Sequence, residues 1–306
     1  GAVATQAVLY NATLEASPTL SLTMDSGTSG DKITNSALIT TNSLLQHSNL
    51  ANVTTRTYIV DGVSSSTYVA PTTNGSHQVV VTDKDLAGNT ASSTLNFTLD
   101  ATAPTLDQTT SAVTGDTWVV SYADMGSGFS SELPATSNFT VTVYSNADVT
   151  KPTIVSVTSV RIDASNQQII LTLASAVQSG DTVQVVYTPG SGTNLKDVAG
   201  NVLAATTFST SQVINKTAPA ELLNITSMSG DSGSLGTDFI TNDGTSGKVV
   251  TGTISSALRT GEVLQVSFNG GATWQTATTT GTSWTATDSS GHTGNWTIQG
   301  KVVSST

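Results

Sequence analysis

The chain has no cysteine, so disulfide staples and thiol chemistry are both closed to it. Charge is scarce as well: charged residues make up 10% of the chain and aromatics 5%. Within that small set the basic side chains are the fewer, 10 Lys and Arg against 21 Asp and Glu, for a net charge of −11. Without a basic patch the chain lacks the electrostatic footprint of a nucleic-acid binder. No apolar run approaches the length of a membrane span, so the chain is not membrane-embedded, and no signal-peptide pattern opens it. Nor does any long stretch hold a helical period. What remains is Thr, Ser, Gly and Val, with 37% hydrophobic residues in short alternating runs. That composition predicts an ordered, all-β chain. Its 306 residues suit two or three domains.

Against this low background of charge, one acidic stretch stands out because it recurs. Asp25-Ser-Gly-Thr-Ser-Gly-Asp31-Lys-Ile-Thr-Asn35 returns as Asp231-Ser-Gly-Ser-Leu-Gly-Thr-Asp238-Phe-Ile-Thr-Asn242. Carboxylates spaced by glycines make a tight, oxygen-rich turn, the donor set that hard cations such as Ca2+ require. A second motif, Asp-x-Ala-Gly-Asn, occurs at Asp85–Asn89 and Asp197–Asn201, each time just before the last expected strand of a domain. The alternative for both motifs is plain turn chemistry. A chain of small β-domains without disulfides needs another clamp, which favours metal.

Strand, acidic residue, short linker and proline recur around Glu15–Pro18 and Asp100–Pro104, with a variant at Asn215–Pro219. Proline suits the exit from one sheet into the next domain. These marks divide the chain into a strand and linker over 1–15 and sandwiches over 16–102, 103–218 and 219–306. Period-two alternation predicts strands at Thr19–Met24, Thr54–Val60, Thr67–Ala70, Ser76–Thr82 and Ala91–Leu99 in the first sandwich. In the second it predicts Thr117–Tyr122, Asn138–Tyr144, Thr153–Val160, Gln168–Leu173, Thr182–Tyr187 and Val202–Val213. The third is expected to lack its last strand, while residues 7–14 form a strand without a sheet.

Together these motifs resemble the tandem Ig-like modules of giant bacterial surface adhesins, of the RTX and biofilm-associated type. Segments 16–102 and 219–306 resemble the Ig-like repeats through the acidic stretch, Asn269-Gly-Gly-Ala-Thr-Trp274 and Asp85–Asn89. Segment 103–218 is similar to the SwmB repeat through Phe139-Thr-Val-Thr-Val, Val177-Gln-Ser-Gly-Asp181, Tyr187 and Lys196-Asp-Val-Ala-Gly-Asn201. The resemblance implies an extracellular, calcium-rigidified stalk that projects a distal ligand-binding region from the cell for adhesion and biofilm formation. Segment 16–102 departs from the pattern in carrying Asp61-Gly-Val in place of the Gly-Gly-x-Thr-Trp hairpin.

In an up-and-down sandwich alternate loops fall at opposite ends. Asp25 and Asp31 should therefore lie near Asp100 and face Asp197 and Asn201 of the next domain, giving a shared Ca2+ cage. Asp83, Asp85 and Asn89 should face Glu15 at the front, and Asp231 and Asp238 should face whatever follows residue 306. His47, His77 and His292 lack ligand spacing and read as surface residues. No Gly-x-Ser-x-Gly elbow supports a hydrolase, so an enzyme is not expected. Trp118, Trp274, Trp284 and Trp296 suit packing in alternating strands better than sugar stacking. The expected partners are neighbouring domains of the same chain and, head to tail, another copy. The competing function is a module that itself binds sugar or peptide.

Overall fold

The computed structural model describes residues 1–12, 16–44, 53–124, 126–145 and 148–304, and the chain in it is all-β. The end of the 7–14 run, Glu15 and His47 lie outside the described residues. Among the described residues there is no α-helix, only a short 3-10 turn at Thr136–Asn138. Hydrophobic side chains gather in three separate cores, each closed by its own pair of sheets.

The first sandwich contains β1 (Leu20–Leu22), β2 (Ile33–Thr34), β3 (Ile39–Thr41), β4 (Val53–Val60), β5 (Val63–Ser65), β6 (Gly75–Asp85) and β7 (Thr90–Leu99). β1 pairs with β3, and the larger sheet runs β2-β7-β6-β4-β5. Alternation does the sorting: His77, Val79, Val81, Leu95, Phe97 and Leu99 point inward while their neighbours are partly or fully exposed. Asp61-Gly62 turns β4 into β5 with positive φ at both residues, as a type I′ hairpin needs. β2 lies parallel to the end of β7, with Thr98 N–H on Lys32 O and Asp100 N–H on Thr34 O, each at 2.9 Å.

The second sandwich has β8 (Thr105–Leu106), β9 (Ala112–Thr114), β10 (Thr117–Ala123), β11 (Phe139–Ser145), β12 (Asp148–Val155), β13 (Val157–Asp163), β14 (Gln168–Leu173), β15 (Thr182–Tyr187), β16 (Thr206–Phe208) and β17 (Ile214–Asn215). One sheet runs β13-β14-β10-β9-β17 with β8 beside β10, and the other runs β12-β11-β15-β16. Trp118 sits at the centre, fully buried, its indole N–H on Ser111 Oγ at 2.9 Å.

The third sandwich has β18 (Leu223–Met228), β19 (Lys248–Ile254), β20 (Glu262–Ser267), β21 (Gln275–Thr276), β22 (Thr278–Thr280), β23 (Ser283–Asp288) and β24 (Gln299–Ser304). Its sheets run β18-β19-β23-β22 and β21-β20-β24. β6 of the first sandwich is flanked on both sides, whereas β24 has β20 as its one strand partner among the described residues.

Several expectations are corrected. Residues 7–12 form no strand, and Val8, Leu9 and Tyr10 are exposed. Thr67–Ala70 is a loop, held where the Tyr68 hydroxyl donates to Ala37 O. The run Thr153–Val160 is two strands, because the chain changes sheets at Ser156 while alternation continues through the change. Val202–Val213 holds only the short β16, and β17 follows it. His77 is buried, not superficial: Nδ1 faces Asp61 Oδ2 and Nε2 faces Thr73 O, both at 2.7 Å. Burial alone would lower its pKa, but with two acceptors on one ring the net direction is up.

Candidate metal centre at the first joint

The chain leaves β7 at Asp100, crosses a short linker and enters the second sandwich, so Asp100 stands where two domains meet. Its side chain is buried and locally held. Oδ1 accepts from Asn74 Nδ2 at 2.9 Å and Thr102 N–H at 3.1 Å, and Oδ2 accepts from Ser127 N–H at 2.7 Å. A Cβ at Gly126 would lie 2.0 Å from Asp100 Oδ2, so only glycine lets this loop close over the carboxylate.

Asp197 comes from the other side. In Asp197-Val-Ala-Gly-Asn201 the Asn201 N–H and Nδ2 reach the two Asp197 oxygens, each at 2.7 Å, and Nδ2 also donates to Asp100 O at 2.8 Å. Gly200 turns the chain at positive φ. One Asn side chain thus ties the loop of the second domain to the exit of the first.

A third carboxylate completes the group. Asp124 follows β10, and its Oδ1 accepts from Gly126 N–H at 3.1 Å. Asp100, Asp124 and Asp197 bring one oxygen each to within 4.8 Å of one another. Asp124 Oδ2 is buried without a hydrogen-bond partner, and among the described residues no Lys or Arg pairs with any of the three. Burial pushes the Asp197 carboxyl up, Asn201 opposes that, and the charges of Asp100 and Asp124 push it up further. Carboxylates that repel one another around an orphaned oxygen fit a hard cation, which prefers an all-oxygen shell.

The other expected ligands are arranged differently. Asp25 and Asp31 sit in the loop that abuts the Asp197 turn: Ser26 Oγ donates to Ala199 O at 2.6 Å, and a Cβ on Gly27 would come 1.8 Å from Val198 O. Their carboxylates turn inward to their own loop, Asp25 Oδ2 accepting from Gly30 N–H at 2.7 Å and Asp31 Oδ1 from Ile33 N–H at 2.8 Å. Asp231 and Asp238 repeat this through Phe239 N–H and Ile240 N–H, both at 3.1 Å. Asp83 is engaged by Arg56 in a buried two-point ion pair at 2.6 Å on each oxygen. A guanidinium there opposes a second cation. Asp85 and Asn89 build the same turn as Asp197 and Asn201, but Asn11 Nδ2, at 3.1 Å, stands against Asp85 Oδ2. Asp124 escaped the sequence reading. Its trace was the string Asp124-Met-Gly-Ser-Gly128 after a strand, another acidic residue followed by spaced glycines.

Residues 13–101 match the bacterial Ig-like domain family, and residues 99–192 match a family described as a putative flagellar system-associated repeat. The two matched segments are successive and overlap at residues 99–101, at the joint. No curated protein matches. Among solved structures, the N-terminal part of the bacterial S-layer protein SbsC is similar at 14% identity and a TM-score of 0.29, covering 67% of this chain. The present chain spans 44% of that one. A tetra-tandem repeat from the extending region of a large adhesion protein shows 16% identity over 94% of this chain and 74% of that chain, TM-score 0.23. A chain from a 1.5-MDa bacterial ice-binding adhesin shows 18% identity over 94% and 98%, TM-score 0.24.

Proposed function

We propose that this chain is an extender segment of a large bacterial cell-surface adhesin, working outside the cell, and that Ca2+ stiffens its first joint. The observation that carries this reading is the convergence of Asp100, Asp124 and Asp197 from both sides of one interdomain linker, with Asp124 Oδ2 left unanswered. Asp100, Asp124 and Asp197 would hold the ion. The bound cation would supply the positive charge that lets buried Asp100 and Asp197 and half-buried Asp124 stay ionised together. Asn201 and Ser26 hold the same joint with neutral hydrogen bonds, so the metal would tighten a contact that already exists. The Ig-like and SWM-type matches support serial sandwiches; service as spacers for adhesion and biofilm formation is what we propose for them. This reading assigns no catalytic role, and no helix among the described residues is long and apolar enough to cross a membrane.

Titration calorimetry with Ca2+, paired with small-angle scattering, tests the proposal. Saturable heat, and a longer, stiffer particle in Ca2+ than in chelator, are expected from the parent chain and absent from the Asp124→Asn, Asp197→Asn double variant. Equal scattering and no heat in the parent chain would sink it.

A further inference from the structure

His77 stands near the start of β6 on its buried face, and its ring lies between two acceptors. Nδ1 is 2.7 Å from Asp61 Oδ2, and Nε2 is 2.7 Å from Thr73 O. A neutral imidazole has one N–H, so in that form one of these contacts sets a lone pair against an acceptor. The imidazolium satisfies both. Burial works against the charge, but Asp61 and Thr73 O outweigh it and the pKa is raised. Asp61 is itself fixed, its Oδ1 accepting from Gln78 N–H at 2.8 Å. Among the described residues, the other titratable groups on this side are Asp31, Lys32 and Tyr68. Asp31 and Lys32, just before β2, line the same hollow over β6 and β7. The Tyr68 hydroxyl is within range of the Asp61 charge and is bonded to Ala37 O. From β7 comes the uncharged ring of Phe97, 5.7 Å away between centres.

Thr73 belongs to the segment that joins β5 to β6, and the residue after it, Asn74, holds the joint. Asn74 Nδ2 donates to Asp100 Oδ1 at 2.9 Å and to Thr102 Oγ1 at 2.8 Å, and Asn74 Oδ1 accepts from Ala101 N–H at 3.0 Å. One amide thus spans the three residues by which the chain leaves the first sandwich. Its backbone is set between two anchors, the Thr73 carbonyl on His77 and the pairing of Gly75 with Leu99. When the ring loses its proton, the one remaining N–H stays on the side of the Asp61 carboxylate, the stronger acceptor. Nε2 then turns a lone pair toward Thr73 O, and the contact that fastened the segment repels it.

We infer that protonated His77 is a latch on the first joint: through Thr73 and Asn74 it sets the Asp100 carboxylate, and the joint loosens when the ring loses its proton. His77 and Asn74 are positioning residues in this scheme. The consequence for Ca2+ rests on the proposed role of Asp100 as a ligand, whereas the latch itself is made of hydrogen bonds that need no metal. His77 holds its proton more tightly in the folded chain. Its contribution to stability is therefore full below its unfolded value of about 6.5 and is lost as pH rises through the folded pKa. Linkage is reciprocal, so if protonation favours Ca2+, Ca2+ favours protonation. Ca2+ should raise the His77 pKa, where plain repulsion between two cations would lower it.

NMR of the whole chain tests the latch first in chelator. The Ala101 and Thr102 amide signals should move with the midpoint of the His77 ring and stay still through that range in His77→Phe. Asn74→Ala should leave the ring titrating while the two amides no longer follow it. Amides that ignore the His77 midpoint, or that move equally in His77→Phe, would overturn the inference with no metal involved. With Ca2+ added, the His77 midpoint should rise. Calorimetry should show Ca2+ affinity falling about fivefold as pH rises through that midpoint, the low end of ordinary coupling between sites. Ionisation of the carboxylates would change affinity in the opposite direction. Both His77→Phe and Asn74→Ala should abolish the fall. A midpoint lowered or left in place by Ca2+, in a chain that gives saturable Ca2+ heat, would overturn the inference. Absence of any such heat would tell against the cation, and the chelator titration alone would then decide the latch.

Discussion

The turns at Asp85–Asn89 and Asp197–Asn201 share one internal design and differ in surroundings. Each has its aspartate buried, its Asn N–H and amide on the two carboxylate oxygens, and its glycine at positive φ. Each Asn amide also donates to a carbonyl arriving from upstream, Asn11 O in one and Asp100 O in the other. Yet the two carboxyls move in opposite directions. Burial raises Asp85, but the Asn89 side chain and the N–H groups of Asn89, Gly88 and Ala87 outweigh it and the net shift is down. Burial raises Asp197 most, Asn201 opposes it, the charges of Asp100 and Asp124 add to the rise, and the net shift is up. The difference teaches that Asp-x-Ala-Gly-Asn is a connector first. Among the described residues, further carboxylates converge on the Asp197 turn alone.

The largest expected effect comes from the Asp85 side. Arg56 neutralises Asp83 on the same buried face of β6. Arg56→Ala should destabilise the first sandwich by about 3–5 kcal/mol, because it leaves a buried carboxylate unpaired. Urea unfolding measures this. A loss under about 1 kcal/mol would mean that Asp83 finds water or another partner, and that this end of the domain is less closed than described.

A smaller effect is expected at the joint. At Ca2+ a hundredfold above its dissociation constant, the joint should gain about 2.7 kcal/mol. Asp85→Asn should keep that gain and Asp197→Asn should lose it, as thermal melts with and without chelator would show. Loss of the gain in both variants would place the ion elsewhere and erase the distinction between the turns.

The smallest effect is in titration. Asp197 has a folded pKa above its unfolded value of about 3.9, so without metal its contribution favours folding at low pH and is lost as pH rises through the folded pKa. Asp85 has the reverse sign: its contribution is present above about 3.9 and is lost as pH falls through its depressed pKa. Carboxyl NMR should resolve the two titrating on opposite sides of that value, with Ca2+ drawing only Asp197 downward. Parallel titrations would show that neither burial nor the neighbouring carboxylates set Asp197 apart from Asp85.

The all-β class was legible because burial follows alternation residue by residue in β6, β10 and β14. Where alternation misled, topology was the reason. Alternation carries Val155 on to Val157 through the change, yet Ser156 hands the chain from one sheet to the other. His77 looked superficial because its partner Asp61 is brought to it only by the pairing of β4 with β6. At the joint, Asp100, Asp197 and Asn201 announced themselves by motif, and they do converge. Asp25 and Asp31 were harder to place, since a motif locates a loop but not the direction its carboxylates face. Here the loop's own N–H groups took Asp25 Oδ2 and Asp31 Oδ1, and left Asp25 Oδ1 buried without a hydrogen-bond partner.

The parallel pairing of β2 with β7 has a mechanical consequence. β2 lies near the start of its sandwich and β7 ends it, so tension applied between the two ends of the domain slides one strand along the other. In that shear geometry Thr98 N–H to Lys32 O and Asp100 N–H to Thr34 O are strained together instead of parting one by one. The second sandwich is wired alike, β9 parallel to β17, with Ile214 N–H on Ser111 O at 3.0 Å and Lys216 N–H on Val113 O at 2.8 Å. Two successive domains thus meet a pull with the same clamp, as the proposed extender role would require.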